Sequence, residues 1–345
     1  MQLERIESLI TEKTADINQL LVTDNKDVLG QGGAYIVTQD TERLLGRLGV
    51  TLPKRDIQAF NAAVLNALAP IFPVVMTDEN PFYDALGSAF ARACTKANDE
   101  NAEVILLDRF VSAPGVSTDA YSTLSIGRVT TPNGEILGPR PGDQDIDEQL
   151  AIIQAKMKAD GKTNVIFVDD GLSTIDALEP YEEIARAQGW QIVDMVLGVL
   201  PSAPDGDEWN TKKAATDITG KPPTAVLPVV SPLDWICQRD FTFLGGKTVA
   251  IDDITYPLTA PYFSPFTNGQ SASIPTKRLN EVSKKLLRAN QALISAIDQQ
   301  NGQPLTFTDV LNAGYGLPVS LLDMLPIPKP EDSVGQFIDT ALACV

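Results

Sequence analysis

Two adjacent carboxylates, Asp169 and Asp170, stand where the sequence changes from an apolar run to a small polar turn. The run covers residues 165–168, and the turn begins at Gly171. Like charges this close repel each other unless a cation or hydrogen-bond donors compensate them. A carboxylate can accept several hydrogen bonds or coordinate a divalent metal ion. The pair therefore suits Mg²⁺ or two neighbouring hydroxyl groups of a sugar.

The residues that follow the pair are small or polar, which suits an anion. Backbone N–H groups of a tight turn, the hydroxyls of Ser173 and Thr174, and the dipole of a following helix favour a negative group there. A phosphate beside a ribose satisfies both halves of the stretch. We therefore expect a nucleotide-like ligand at residues 169–177.

The flanking pattern indicates which elements position this loop. Residues 165–168 are typical of a buried strand, a helical segment ends near Gly189, and residues 192–200 form a second apolar run. A strand, a loop, a helix and a parallel strand follow one another in this way in α/β proteins. Because ligands in open α/β sheets bind outside the carboxyl ends of the strands, the loop lies where a site is expected.

The stretch VIFVDDGLSTIDA, residues 165–177, resembles the signature with which type I phosphoribosyltransferases bind phosphoribosyl diphosphate (PRPP). The likeness extends over roughly residues 164–236 and implies an α/β fold with a mostly parallel central sheet of the phosphoribosyltransferase type. It implies that Asp169 and Asp170 take the ribose hydroxyls directly or through Mg²⁺. The residues that would surround the 5-phosphate are Ser173, Thr174, Ile175, Asp176 and Ala177.

The resemblance implies an enzyme that transfers a phosphoribosyl group from PRPP to a nitrogenous acceptor and releases pyrophosphate. Three positions depart from the family pattern. Gly171 replaces an apolar residue, Ile175 replaces a small one, and Ser173 stands where purine-salvage members place a catalytic aspartate. The alternative is a protein of the same fold that binds PRPP or a nucleotide without catalysis, as a regulator or scaffold.

A phosphoribosyltransferase also needs a loop for pyrophosphate on an earlier strand. The candidate is Asp108-Arg109 with residues 112–115, at the end of a strand predicted over residues 103–110. Arg128, near a hairpin predicted around Asn133-Gly134, is the candidate cation for the pyrophosphate. The alternative for Arg128 is an ordinary solvated arginine.

The composition is that of a soluble globular protein. The chain has 345 residues, of which 43% are hydrophobic, and it is long enough to bury a core without disulfides. It contains no histidine, which excludes imidazole-dependent catalysis and His-ligated zinc. A formal net charge of −18 disfavours nucleic acid and anionic membranes as partners. Three scattered cysteines and the absence of an apolar span or leader favour the cytoplasm, and assembly into a homo-oligomer is left open.

Three consecutive regions are predicted: a helical region over residues 1–100, the α/β core over 101–236, and a mixed C-terminal extension over 237–345. Residues 201–223 are expected to form a loop, and residues 236–274 to be irregular. The predicted helices cover residues 3–22, 40–48, 54–69, 81–97, 145–158 and 276–298.

Overall fold

The computed structural model describes residues 34–71, 73–77, 79–131, 134–172, 178–202, 211–230, 233–251 and 254–345. The helix predicted over residues 3–22 lies outside these ranges, and so do residues 173–177 of the predicted phosphate loop. Within the described residues the chain is an α/β protein with mostly parallel sheets.

The strands are numbered along the chain. They are β1 (Ala34–Thr38), β2 (Val74–Thr77), β3 (Ala102–Leu106), β4 (Ser122–Thr123), β5 (Ile126–Thr131), β6 (Gly134–Pro139), β7 (Asn164–Gly171), β8 (Gln191–Ser202), β9 (Thr224–Val230), β10 (Leu233–Cys237), β11 (Lys247–Ile251), β12 (Ile254–Ala260) and β13 (Leu317–Pro318).

The α-helices are numbered in the same way. They are α1 (Thr41–Arg47), α2 (Lys54–Leu68), α3 (Glu79–Asp99), α4 (Ile146–Asp160), α5 (Glu179–Gln188), α6 (Thr211–Thr219), α7 (Thr276–Asn301), α8 (Phe307–Asn312) and α9 (Val334–Ala343). Five of the six helices predicted from periodicity are present within a few residues of their expected bounds, and the sixth is the undescribed 3–22 segment.

The chain folds into two units, each built from separated stretches of sequence. The first unit comprises mainly residues 78–126 and 144–235, and the second comprises residues 35–77, 127–143 and 236–345. The sequence predicted three consecutive regions instead. The difference arises from long-range strand pairing: β5 pairs with β11, more than a hundred residues later, and β1 is a neighbour of β10. Local spacing carries no signal for such pairs.

The sheet of the first unit has the order β4-β3-β7-β8-β9, and all of its neighbouring strands are parallel. This confirms the predicted mostly parallel sheet. Its central strand β7 is buried along nearly its whole length, which explains the continuous apolar run at residues 165–168. The chain leaves β3 toward one edge and β7 toward the other. The carboxyl ends of β3 and β7 therefore form the point where strand order reverses.

Local signals set the ends of the helices in this unit. The Asp145 side chain accepts a hydrogen bond from the Asp147 N–H at 3.0 Å and caps α4. Helix α5 ends at Gly189, whose φ of 70° is the left-handed conformation that glycine adopts without strain. Helix α3 packs against β3, β7, β8 and β9, so it holds the strands that carry the acidic residues.

Two stretches differ from the sequence predictions. Residues 201–223 were expected to form a loop, but helix α6 lies there, with Ala215 buried and an ion pair between Lys213 and Asp217 at 2.7 Å. A nine-residue helix is too short to give a clear apolar period. Residues 236–274 were expected to be irregular but contain β11 and β12, which pair antiparallel. Besides pairing with each other, β11 pairs with β5 and β12 with β13, and these distant partners leave no local pattern.

The second unit contains a sheet of order β13-β12-β11-β5-β6 and a smaller sheet of order β10-β1-β2. Strands β5 and β6 are neighbours, as the predicted hairpin requires. Helix α7 packs against α2 and α9 and begins at the predicted residue. Its basic residues are exposed or half-buried, and Lys285 pairs with Glu281 at 2.9 Å, as on a solvated helix face.

No helix among the described residues is long and apolar enough to cross a membrane. All three cysteines lie in the described part of the chain and are free thiols, as predicted: Cys94 and Cys237 are buried, and Cys344 is partly exposed.

Candidate acidic site at the ends of β3 and β7

Three buried carboxylates meet where β3 and β7 end. Asp108 follows β3, and Asp169 and Asp170 lie in the last part of β7; their exposed fractions are 0%, 6% and 4%. One oxygen from each of the three lies within 4.8 Å of the others. Three acidic groups so close together and away from water repel strongly when charged. The three carboxylate oxygens form a set of ligands that could hold a cation.

The strand register explains why Asp108 joins the pair. In the parallel ladder Leu106 is opposite Val168, and the N–H of Leu107 donates to the Val168 carbonyl at 2.9 Å. Two residues beyond Leu106 and Val168, Asp108 therefore comes beside Asp170. The sequence analysis placed Asp108 in a pyrophosphate loop; the structure places its carboxylate with the other two acids.

The Asp108 side chain is held by the turn that follows it. Its Oδ1 atom accepts hydrogen bonds from the backbone N–H groups of Phe110 at 2.5 Å and Val111 at 3.1 Å. Helix α3 presses on the same loop, because a β-carbon on Gly87 would collide with the carbonyl oxygen of Ser112. The loop after β3 is thus held by hydrogen bonds to the Asp108 side chain and by packing against α3.

Asp169 is oriented by two donors. The hydroxyl of Tyr181 donates to Oδ2 of Asp169 at 2.7 Å, and the backbone N–H of Asp170 donates to Oδ1 at 2.9 Å. Tyr181 lies in the first turn of α5, and its ring packs on the buried ring of Phe167 with centroids 5.5 Å apart. These contacts connect the start of α5 to the end of β7.

Gly171 departs from the family pattern for a visible steric reason. A β-carbon there would lie 2.9 Å from the carbonyl oxygen of Val199 and 3.1 Å from the ring of Trp235. Real β-carbons do not approach backbone atoms this closely, so a larger apolar side chain has no room. The departure therefore reflects tight packing between β7, β8 and Trp235 at the edge of the site.

The other site residues predicted from the sequence have different outcomes. Arg109 is half-buried, and its guanidinium carbon lies 5.7 Å from the Phe110 ring centroid. Arg128 lies on β5 in the second unit with an exposed side chain, so its contact with pyrophosphate stays a prediction. The predicted phosphate ligands lie outside the described residues; they are Ser173, Thr174, Ile175, Asp176 and Ala177.

Sequence reasoning missed Tyr181 altogether. Its only signal is its place three residues into a predicted helix that follows the acidic strand, which does not reveal where a phenol points. The acidic role of Asp108 had a clearer signal, since it follows an apolar run just as Asp169 and Asp170 do. Only the fold shows that β3 and β7 are adjacent and so bring the three acidic residues together.

The donor set fits Mg²⁺. It consists of carboxylate oxygens, which hard cations such as Mg²⁺ prefer over the nitrogen and sulfur ligands typical of zinc. The Tyr181 hydroxyl orients Asp169, and the N–H of Phe110 orients Asp108. Asp169 and Asp170, the predicted metal ligands, with Asp108 added, are the residues that would hold Mg²⁺.

No protein-family model matches this chain, and no curated protein sequence matches it either. The likeness to phosphoribosyltransferases at residues 164–236 therefore remains an interpretation of the local sequence.

Proposed function

We propose that this protein binds PRPP together with Mg²⁺ and transfers its phosphoribosyl group to a nitrogenous acceptor with release of pyrophosphate. The acidic cluster of Asp108, Asp169 and Asp170 is the site, and residues 173–177, predicted from the sequence, bind the phosphate. The sheet of the first unit is then of the phosphoribosyltransferase type.

One observation carries the proposal: the three acids converge at the point where strand order reverses in a parallel sheet. In open α/β sheets that crevice is where ligands bind. Asp169 and Asp170 reach it from β7, and Asp108 reaches it from β3. Asp169 and Asp170, which belong to the stretch that resembles a PRPP signature, thus lie where an open α/β sheet binds its ligands, and this supports the proposal.

The proposed reaction requires the protein to bind PRPP and to stabilise the charges that develop as pyrophosphate leaves. The bond between C1 of the ribose and the pyrophosphate oxygen breaks, and its electron pair leaves with the pyrophosphate. A bond forms between C1 and the acceptor nitrogen, which then loses a proton. Bound Mg²⁺ supplies charge neutralisation for the leaving pyrophosphate. Asp169 and Asp170 would orient the ribose and favour the positive charge that develops at C1.

The absence of histidine is compatible with this reaction. Pyrophosphate is a weakly basic leaving group that departs as a stable anion, so its departure needs no general acid. The proton that leaves the acceptor nitrogen needs only a carboxylate or water. The lack of histidine therefore removes no group that the proposed reaction requires.

The test is pyrophosphate release from PRPP in the presence of Mg²⁺ across a panel of nitrogenous acceptors. Asp170→Asn is the site variant, and Asp217→Asn is its matched control, because Asp217 lies exposed on α6 in the same unit. Acceptor-dependent release that Asp170→Asn abolishes and Asp217→Asn retains supports the enzyme. Binding of PRPP without release would instead support the alternative, a regulator of the same fold.

A further inference from the structure

We propose that Tyr181 is the positioning residue for Asp169: its phenol fixes the orientation in which that carboxylate coordinates the cation. This inference rests on the proposed function of the acidic cluster and adds a residue from outside the resemblance, which gave Tyr181 no role.

The geometry fixes both oxygens of Asp169. Oδ2 accepts from the Tyr181 hydroxyl at 2.7 Å, and Oδ1 accepts from the Asp170 N–H at 2.9 Å. Rotation of the carboxylate would break both hydrogen bonds in a buried place, where an unmade bond costs more than at the surface. The two hydrogen bonds together hold the Asp169 carboxylate in one orientation.

Tyr181 is itself well anchored. Its side chain is 9% exposed, and its ring packs on Phe167, which is fully buried in β7. Its backbone N–H donates to the Leu178 carbonyl at 3.0 Å, and Pro180 lies in the same first turn of α5. The phenol therefore has little freedom to leave Asp169, and the ring would stay in place without its hydroxyl.

Removing only the Tyr181 hydroxyl should therefore weaken the binding of a cation by Asp169. Hydrogen bonds to the groups that coordinate a metal orient them, and losing one such bond typically weakens metal binding by about 10- to 100-fold. Tyr181→Phe removes the hydroxyl and keeps the ring contact with Phe167. We expect at least about a tenfold weaker affinity for a divalent cation.

The probe is Mn²⁺ alone, a paramagnetic substitute for Mg²⁺. Its binding is measured from its electron paramagnetic resonance signal and from the relaxation of solvent protons. The matched control is Tyr315→Phe. Tyr315 is 1% exposed and donates its hydroxyl to the Leu44 carbonyl at 3.0 Å in the second unit. Both variants lose one buried tyrosine hydroxyl, and circular dichroism with thermal melts reports whether each is folded.

We expect Mn²⁺ to bind the native protein and Tyr315→Phe alike, and to bind Tyr181→Phe at least about tenfold more weakly with an altered bound-ion spectrum. Equal or tighter binding to folded Tyr181→Phe would overturn the positioning role and leave the proposed function standing. If Tyr181→Phe does not fold, the bound-ion signal is compared in the native protein and Asp169→Asn, and identical signals overturn the role. Failure of the native protein to bind Mn²⁺ would overturn the cation site and this inference together.

Discussion

The carbonyl oxygen of Asp170 lies so close to Gly198 that a β-carbon at Gly198 would overlap it. Gly198 sits on β8, next to the end of β7, and the same β-carbon would lie 2.6 Å from the ring of Phe82 in α3. The close approach of two strands and a helix behind the acidic cluster thus requires glycine at position 198, as the packing of β7 against β8 does at Gly171.

Gly198→Ala should therefore destabilise the protein and displace Asp170. Forcing a methyl group into a filled core typically costs about 1–3 kcal/mol. Denaturant unfolding measures the free energy, and Mn²⁺ affinity reports the position of Asp170. The same substitution at Gly46, in α1 with no heavy atom within 4 Å, should be neutral or stabilising by up to about 1 kcal/mol. Equal stabilities for the two variants would contradict the packing argument.

Asp108→Asn should weaken cation binding while keeping the turn after β3. The asparagine side-chain oxygen can still accept from the N–H groups of Phe110 and Val111. Losing one of three clustered charges reduces repulsion in the ion-free protein, so that form should become more stable. Mg²⁺ at about a hundred times its dissociation constant should stabilise the native protein by about 2.7 kcal/mol and this variant far less.

Thermal unfolding with and without Mg²⁺ measures that difference, and Asp217→Asn serves again as the exposed control. A native protein and an Asp108→Asn variant that gain the same stability from Mg²⁺ would show that Asp108 takes no part in the site.

Asp40, in the second unit, should give the stability a distinct pH dependence. Its carboxyl is fully buried, and burial raises its pKa from 3.8 to about 6 despite the Arg239 guanidinium at 2.7 Å. The folded protein therefore holds a proton that the unfolded chain releases between these values. The stability from this group is complete below pH 3.8 and is lost as the pH rises through about 6, a change of about 3 kcal/mol.

Asp40→Asn tests this contribution. The neutral asparagine resembles the protonated carboxyl, so the unfolding free energy of the variant relative to that of the native protein should rise by about 3 kcal/mol as the pH rises from 4 to 7. Burial also raises the pKa of Asp240, and the Asp240 charge contributes to the raised pKa of Asp40, so the comparison reports the two acids together. A difference that stays constant over this pH range would refute the assignment.

Glu103 should stabilise the fold through its buried ion pairs. It is fully buried on β3, and its two oxygens lie 2.6 Å from Lys156 Nζ and 2.9 Å from Lys162 Nζ. Removing one partner of a buried ion pair typically costs about 3–5 kcal/mol. Both lysines retain some exposure, so Glu103→Gln should fall near the lower end, as measured by denaturant unfolding. Glu281→Gln, on the exposed face of α7, should leave the stability nearly unchanged, because exposed ion pairs contribute little.

The sequence carried enough information to place the acidic strand and its neighbours. The apolar run at 165–168, the break at Gly189 and the run at 192–200 correspond to β7, the end of α5 and β8. These features depend on local patterns: burial on both faces gives a continuous apolar strand, and a left-handed helix end requires glycine.

Features that depend on distant pairing were beyond the sequence. The convergence of Asp108 with Asp169 and Asp170 requires β3 and β7 to be adjacent, a contact across about sixty residues. The division into two interleaved units likewise depends on β5 meeting β11. The Tyr181 hydroxyl reaches Asp169 because of how α5 folds back on β7, which residue spacing does not record.

The measurement that tests the central claim most directly is a calorimetric titration of PRPP into the protein with and without Mg²⁺. We predict binding at one site per chain that depends on Mg²⁺, that is lost in Asp170→Asn, and that Asp217→Asn leaves unchanged. No binding of PRPP to the native protein in the presence of Mg²⁺, or equal binding to Asp170→Asn, would contradict the account.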